Sequence, residues 1–125
     1  MIRFTATECG SRVDDGVLVC GASNSQARGV EWHTFIFMRS TRLDDPDDDG
    51  PYFELDDQAW GSHNWVKSVR FAGDTVTITL APGPDQLIGH RVIEAVLACP
   101  AADVRRFKSA VRRVFRDQPE RVTDD

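Results

Sequence analysis

Hydrophobic and polar residues alternate through much of the chain up to residue 99, and this pattern predicts strands. In residues 75–80, Val76, Ile78 and Leu80 lie on one side and three threonines on the other. Successive side chains of a strand point to opposite faces, so a period of two residues indicates a strand with one buried face. Such runs predict about six or seven antiparallel strands, in residues 2–7, 13–22, 30–39, 52–55, 65–71, 75–80 and 91–99.

Residues 30–39, VEWHTFIFMR, form the most apolar of these runs. Its four successive apolar residues, 35–38, leave no polar face, which favours a central strand covered on both sides. We expect Trp32 and Trp65 to pack in the core. Residues 65–71 and 75–80 flank Ala72-Gly73-Asp74, a sequence typical of turns, so the two runs are predicted to form a hairpin.

After Pro100 the hydrophobic period becomes helical. Val104, Phe107, Val111 and Val114 recur at helical spacing, and basic residues fill the opposite face. An amphipathic helix has to bury its apolar stripe, and the sheet is the surface available for it. The predicted fold class is therefore α+β: a mainly antiparallel β-sheet of about six or seven strands with one C-terminal amphipathic helix packed on it. Residues 1–118 form a single domain, and residues 119–125 are expected to be a frayed polar tail after Pro119 ends the helix.

The composition restricts the partners and the compartment. The 125 residues carry a net charge of -5, and an acidic chain repels phosphate, so nucleic acid is not an expected partner. No apolar run has the length of a membrane span, so no membrane contact is expected either. Three cysteines without metal-type spacing, and an N-terminus without a signal-peptide pattern, favour a cytoplasmic protein with reduced thiols.

Residues 43–58, LDDPDDDGPYFELDDQ, concentrate seven aspartates around one turn. A calcium loop, a docking surface for a basic partner and a solvated hairpin end are three alternative interpretations. Asp45, Asp47, Asp49 and Asp56 follow the spacing D-x-D-x-D-G-x5-D, which resembles the start of an EF-hand loop. The preceding run, however, predicts a strand where an EF-hand has a helix. A calcium-binding module that uses the Asp45–Asp56 loop stays an alternative.

Patterns typical of catalytic or metal sites have little support in the sequence. The histidines at 33, 63 and 90 have no partner at ligand spacing, and no Gly-x-Ser-x-Gly or Gly-rich phosphate loop is present. Cys20 lies in an apolar strand, which predicts a buried and inert thiol. We expect no enzyme activity, no metal and no cofactor, although a small α+β ligand-binding or enzymatic domain remains a second alternative.

The middle and end of the chain resemble a known family. The segment GPYFELDDQAWGSHNWVKSVRFAGDTVTITL, then RVIEAVLA and the helix DVRRFKSAVRRVF, is similar to the immunity protein 10 family of bacterial polymorphic toxin systems. ELDDQ is the most distinctive element of this resemblance. The resemblance implies a cytoplasmic protein that binds a cognate toxin domain and blocks it without chemistry of its own.

The acidic segment suits this interpretation, because an acidic surface steers and complements a basic toxin. Trp60 follows it in the sequence and is either a binding anchor or a cap on the end of the sheet. These site residues are inferred from charge and position, and the oligomeric state is left open. The predicted partner-binding residues are Asp44, Asp45, Asp47, Asp48, Asp49, Glu54, Asp56, Asp57 and Trp60.

Overall fold

Ten strands and one α-helix make up most of the described structure. The computed structural model describes residues 1–25, 28–57, 60–82 and 91–125. The helix α1 spans Ala101–Val114, and a short 3-10 helix spans Pro119–Arg121. The strands are β1 (Ile2–Ala6), β2 (Glu8–Asp14), β3 (Val17–Ser23), β4 (Thr34–Ser40), β5 (Tyr52–Leu55), β6 (Gly61–His63), β7 (Val66–Ala72), β8 (Thr75–Leu80), β9 (Val92–Leu97) and β10 (Val122–Asp124).

The strands form two sheets. Sheet A has the order β1-β9-β8-β7-β10, and sheet B has the order β2-β3-β4-β5-β6. All pairs of sheet B are antiparallel, whereas β1 runs parallel to β9 and β10 runs parallel to β7 in sheet A. The predicted α+β class with one C-terminal helix is confirmed. The prediction of six or seven strands was too low, because the two sheets together contain ten in the described residues.

The core lies between the sheets and is completed by α1. Phe107 of the helix packs against Phe35 of sheet B and Phe71 of sheet A, with ring centroids 6.1 and 6.0 Å away. Burying a side chain of this size stabilises the fold by roughly 1.5–3 kcal/mol. The predicted apolar stripe is confirmed, since Phe107, Val111 and Val114 are buried. The hairpin of β7 and β8 is also as predicted.

Residues 30–39 differ from the prediction in two ways. The strand begins only at Thr34, and Trp32 lies before it with half of its surface exposed (51%) rather than in the core. Along β4 the burial alternates, so that Ile36 and Met38 are only half-buried on the outer face of the sheet. The strand is central in sheet B but is not covered on both sides. Trp65, in contrast, is buried as expected.

Strand β2 forms from a sequence, ECGSRVD, with little hydrophobic alternation. It pairs with β3 through a two-residue turn at Asp15 and Gly16, whose φ angles of 50° and 75° are typical of a tight hairpin turn. The Asp-Gly pair was the sequence signal for this hairpin. The polar face of β2 is consistent with its position at the edge of sheet B.

The C-terminal tail is ordered, contrary to the expectation for residues 119–125. Val122–Asp124 pair with β7, and Arg121 Nη1 donates to the Val66 carbonyl at 2.9 Å. Asp124 also accepts a hydrogen bond from Arg112 of the helix at 3.0 Å. The helix ends at Val114, before Pro119 is reached. The tail therefore belongs to the folded unit as the edge strand of sheet A.

Candidate functional site

Residues 44–50, here called the acidic turn, connect β4 to β5. Asp45 is fixed at its start: one oxygen accepts the N–H of Asp47 at 2.9 Å and the other accepts the hydroxyl of Ser40 at 2.8 Å. These hydrogen bonds, the Asp47 N–H first, lower the pKa of Asp45. Asp44, Asp47 and Asp49 are exposed. The turn thus has a fixed backbone that presents three free carboxylates to solvent.

Asp48 points inward and is part of an ionic cluster around Arg39. Arg39 is only 7% exposed, and its guanidinium contacts Asp48 at 3.1 Å and Asp117 at 2.6 Å. It also donates to the carbonyl of Val114 at 2.8 Å. Carbonyls at the end of a helix, such as this one, lack an intrahelical partner. Asp48 is therefore occupied in joining the acidic turn to the end of α1, and it is not free to contact a partner.

The Arg39 cluster was missed by the sequence analysis. The hydrogen bonds that Arg39 donates to Asp117 hold the pKa of that carboxyl at about 2. In β4, Phe35 and Phe37 point to the core, and position 39 continues the same face. The sequence signal for this cluster was a cation, Arg39, at a strand position that faces the core. Its acceptors could not be named, because Asp117 lies 78 residues away in the sequence.

Asp56 lies at the opposite end of β5 from the acidic turn. Its carboxylate accepts the N–H of Thr34 at 2.9 Å and contacts Nδ1 of His33 at 3.1 Å. The residue adopts a left-handed conformation (φ 62°), which aspartate tolerates better than most residues. Asp56 therefore fixes the start of β4, while the neighbouring Asp57 remains exposed.

The structure does not support the calcium loop. Strand β5 separates the acidic turn from Asp56, so the carboxylates of Asp45, Asp47 and Asp49 do not converge with that of Asp56. Within residues 1–25, 28–57, 60–82 and 91–125, no group of three or more His, Cys, Asp or Glu side chains is placed to hold a metal ion. Gln58, at the end of the acidic segment, and His90 lie outside the described residues.

Trp60 belongs to the Asp56 end of the sheet. It is half-buried, and its backbone N–H donates to the backbone carbonyl of Asp57 at 2.8 Å. It lines a hollow of about 460 Å³ together with Met1, Ile2, Arg3, Glu31, His33 and Asp56. The predicted partner-binding residues are thus split between two places, and Glu54 lies on the strand between them.

The outer face of sheet B is the surface that joins the acidic turn to Glu54. It is the face of β2–β6 that points away from α1. The strand register places Val19, Met38, Tyr52 and His63 in one row across it, with Ile36 and Glu54 in the next. No helix or strand in the described part of the chain packs on this face. It therefore presents a half-buried apolar strip beside exposed carboxylates.

A hollow of about 400 Å³ lies where this face meets the acidic turn. Met38 and Tyr52 contribute apolar surface, and Asp47, Asp49 and Glu54 contribute carboxylates. The Tyr52 hydroxyl donates to Glu54 at 3.0 Å, and burial, with the Glu54 charge, raises the pKa of Tyr52 to about 12. The Tyr52 hydroxyl therefore stays protonated, and able to donate, to a higher pH than an ordinary tyrosine does.

A glycine at position 61 is needed for this arrangement. Gly61 lies opposite Glu54 in the neighbouring strand, and any side chain there would collide with the Tyr52 hydroxyl. The ring of Tyr52 can therefore lie across β6, where it contacts His63 with a centroid separation of 5.2 Å. Glycine in a strand often marks a place where another group approaches the backbone closely, and here that group is the Tyr52 ring.

The cysteines do not offer an activated nucleophile. Burial raises the pKa of the Cys20 thiol to about 12. Burial and the neighbouring Cys99 thiol raise the pKa of Cys9 to about 12 as well, and burial raises that of Cys99. A thiol with such a pKa is protonated near neutral pH, and the thiolate is the reactive species.

The comparisons with known proteins add no relative. The chain matches no protein-family model, no curated protein and no solved structure. In the described residues, no helix has the length and apolar character required to cross a membrane. The geometry of the outer face of sheet B is therefore the basis for a functional proposal.

Proposed function

We propose that this protein is a toxin-neutralising immunity protein that binds a basic toxin domain through the acidic turn and the outer face of sheet B. The observation that carries the proposal is the combination of an uncovered apolar strip with free carboxylates at its border. Val19, Ile36 and Met38 provide the strip, and Asp47 and Asp49 provide the charge. Protein interfaces commonly combine an apolar centre with a polar border.

The two components have different roles in binding. Exposed carboxylates attract a basic protein over a distance and raise the association rate, an effect that salt screens. The half-buried side chains of Met38 and Tyr52 act at contact, since covering them removes apolar surface from water. Inhibition then follows from occupying the toxin surface, and the immunity protein needs no catalytic group of its own.

We propose that a smaller set of these residues contacts the partner. Asp48 and Asp56 are occupied by intramolecular hydrogen bonds, and Asp45 is partly so. Trp60 lies at the other end of β5. Asp44, Asp47 and Asp49 are the exposed carboxylates of the acidic turn, and Glu54 adds a half-buried one that accepts the Tyr52 hydroxyl. Asp57 is exposed at the far end of β5.

The test is capture of the partner from the native bacterium. The tagged protein is expressed there, recovered in the presence of a metal chelator, and its bound proteins are identified. We expect one basic protein in stoichiometric amount, whose toxicity on expression is relieved by the captured chain. The absence of such a partner, or its loss on chelation, would contradict the proposal.

A charge-matched pair of variants tests the surface. Asp47→Lys with Asp49→Lys alters the acidic turn, and Asp74→Lys with Glu120→Lys makes the same charge change at exposed positions elsewhere. We expect only the first pair to weaken binding, by about tenfold or more, because close interfacial charge pairs contribute roughly 1.5 kcal/mol or more. Equal weakening by both pairs would mean that net charge, and not this surface, governs binding.

A further inference from the structure

Strand β2 is an open edge of sheet B. It pairs with β3 on one side, and no strand in the described part of the chain pairs with its other side. The register with β3 is unbroken from Glu8 to Asp14, and the strand contains no proline. Bulges and prolines are devices that keep an exposed edge from pairing with another chain. Strand β2 has neither of them, so its edge is suited to accept a further strand.

The backbone of every second residue in β2 points away from β3. The hairpin turn has two residues, so the pair that flanks it, Asp14 and Val17, exchanges hydrogen bonds, and the backbone direction alternates from there. Arg12 consequently pairs with β3, whereas Ser11 and Val13 direct their N–H and C=O groups outward. No hydrogen bond from the described residues reaches these outward groups.

The same two residues face a hollow of about 290 Å³ between β2 and α1. Ser11 lies opposite the buried Cys20 in the register, so the side chains of Ser11 and Val13 are on the helix side of the sheet. Val13 is 57% exposed there and can form an apolar contact. The hollow is lined by Ser11, Arg105, Arg106, Ser109, Ala110 and Arg113.

Two of the three arginines in this hollow have no carboxylate partner. The other cations of the helix region are paired: Arg106 with Asp103 at 3.0 Å, Lys108 and Arg112 with Asp124 at 3.8 and 3.0 Å, and Arg116 with Asp48 at 3.5 Å. Arg105 and Arg113 form no ion pair with any described residue, and both line the hollow.

The acidic groups near the hollow do not cancel this charge. Asp103 is already paired with Arg106. Glu8 and Asp14 alternate with Ser11 along β2 and therefore lie on the outer face of the sheet, where Glu8 accepts the hydroxyl of Ser25 at 2.9 Å. The hollow thus keeps the charge of two guanidinium groups directly beside an open strand edge.

These two features together favour an acidic polypeptide over other occupants. A nucleic acid would satisfy Arg105 and Arg113 but would leave the backbone groups of Ser11 and Val13 unpaired. A second copy of this chain would pair its β2 antiparallel about a two-fold axis perpendicular to the sheet. Both helices would then lie on the same face, and their free arginines would approach each other. An extended segment with carboxylates fits the edge and the charge.

We propose that the edge of β2 binds an extended acidic segment of another protein as an added strand of sheet B. The backbone of the segment pairs with Ser11 and Val13, and carboxylates on its helix side contact Arg105 and Arg113. Strand addition gives affinity through main-chain hydrogen bonds and specificity through side-chain contacts. The site lies on the edge and the helix side of β2, so it does not depend on the binding proposed for the outer face of sheet B.

Amide exchange in the full-length protein tests the proposal. The probe is an eight-residue peptide of alternating valine and glutamate, added to isotopically labelled protein. The outward amides of Ser11 and Val13 have no acceptor in the free protein, and we expect peptide to slow their exchange at least about tenfold. Amides of β6, the opposite edge of the sheet, should keep their rates. A peptide with lysine in place of glutamate should bind at least about tenfold more weakly.

A charge-matched pair of variants tests the two free arginines. Arg105→Gln with Arg113→Gln should weaken binding of the valine–glutamate peptide about fivefold or more at low salt, and less at high salt. Arg42→Gln with Lys67→Gln makes the same charge change at exposed positions elsewhere and should leave the affinity unchanged. Equal weakening by both pairs would show that net charge alone attracts the peptide, and the site would be lost.

N-methylated peptides test backbone pairing without altering the protein. One peptide is methylated at every glutamate nitrogen and the other at every valine nitrogen. Backbone direction and side-chain face alternate together in a strand, so only one set of N–H groups can point to β2. Only one of the two peptides should therefore lose binding.

Several results would overturn the proposal. Among them are unchanged exchange at Ser11 and Val13 at millimolar peptide, and equal binding of both methylated peptides. Protection of β2 that rises with protein concentration in the absence of peptide would point to a second copy instead. Tighter binding of a single-stranded DNA oligonucleotide of the same charge to Arg105 and Arg113 would point to nucleic acid.

Discussion

The acidic turn and the Asp56 corner lie at opposite ends of β5, and both are rich in aspartate. At the turn, Asp48 contacts the buried Arg39, while Asp47 and Asp49 remain in solvent. At the corner, Asp56 holds the start of β4, and Asp57 remains exposed. In each region some carboxylates are held by contacts within the fold, while neighbouring ones stay exposed to solvent. The number of aspartates in a segment therefore overestimates how many are available to a partner. Single-residue changes should distinguish the carboxylates that build the fold from those that are only exposed.

The largest expected effect is the loss of the Arg39 cluster. Arg39→Met leaves the poorly hydrated Asp48 with only its 3.5 Å contact to Arg116, and it removes the donor to the Val114 carbonyl. Removing one partner of a buried ion pair destabilises by about 3 kcal/mol or more. Urea unfolding of the variant measures this loss. Arg3→Met is the control, because Arg3 forms an exposed pair with Glu94 that contributes less than about 1 kcal/mol. Similar losses in both variants would show that Arg39 has no special structural role.

A smaller effect is expected at the Asp56 corner. Asp56→Ala removes the acceptor of the Thr34 N–H, and its left-handed backbone becomes less favourable, so the loss should be about 2 kcal/mol. Asp56→Asn keeps an acceptor oxygen and tolerates the backbone, and it should lose less. Asp44→Ala, at an exposed position of the acidic turn, should change the free energy of unfolding by less than about 0.5 kcal/mol. A larger loss at Asp44 than at Asp56 would contradict the structural role assigned to Asp56.

A pH dependence of stability should come from Asp117. Its pKa falls from 3.8 to about 2 on folding, because Arg39 donates to its carboxylate. A depressed pKa contributes stability that is complete above the unfolded-state value and is lost as pH falls from about 4 towards 2. Since the side chain is 57% exposed, we expect this contribution to be below about 1 kcal/mol.

The measurement for Asp117 compares unfolding free energies of wild type and Asp117→Asn at several pH values below 5. The wild type should lose more stability on acidification than the variant does. Parallel curves for the two proteins would show that the Arg39–Asp117 contact does not persist in solution.

The smallest effect on stability is expected at the free carboxylates of the acidic turn. Asp47→Lys and Asp49→Lys replace exposed side chains that accept no hydrogen bond from the described part of the chain, so unfolding free energies should change by less than about 0.5 kcal/mol. Thermal or urea unfolding checks this. A substantial loss would mean that these aspartates also build the turn, and the distinction from Asp48 would fail.

Periodicity predicted the elements that bury a regular face. Thr75–Leu80 and the helical stripe through Phe107 and Val111 were readable because burial on one side enforces the pattern. Strands β2 and β10 were missed because edge strands bury little and their sequences are polar. The division into two sheets depends on pairings such as β1 with β9, which join distant parts of the chain and leave no local signal.

The acidic residues of the candidate site were named from the sequence, but their arrangement was not. The acidic turn was recognised as a charged surface, and the structure places Asp44, Asp47 and Asp49 in solvent there. The internal roles of Asp48 and Asp56 depend on Arg39 and Thr34, whose proximity arises only in the folded sheet. The apolar strip on the outer face of sheet B could not be predicted, because Ile36 and Met38 occur within an apolar run whose other residues are buried in the core.

The most direct test of the account is the association rate of the captured partner with the Asp47→Lys, Asp49→Lys variant. The account predicts association at least about tenfold slower than with wild type at low salt, a smaller difference at high salt, and an unchanged rate for the Asp74→Lys, Glu120→Lys control. If the acidic-turn variant associates as fast as wild type at low salt, the partner docks elsewhere on the molecule.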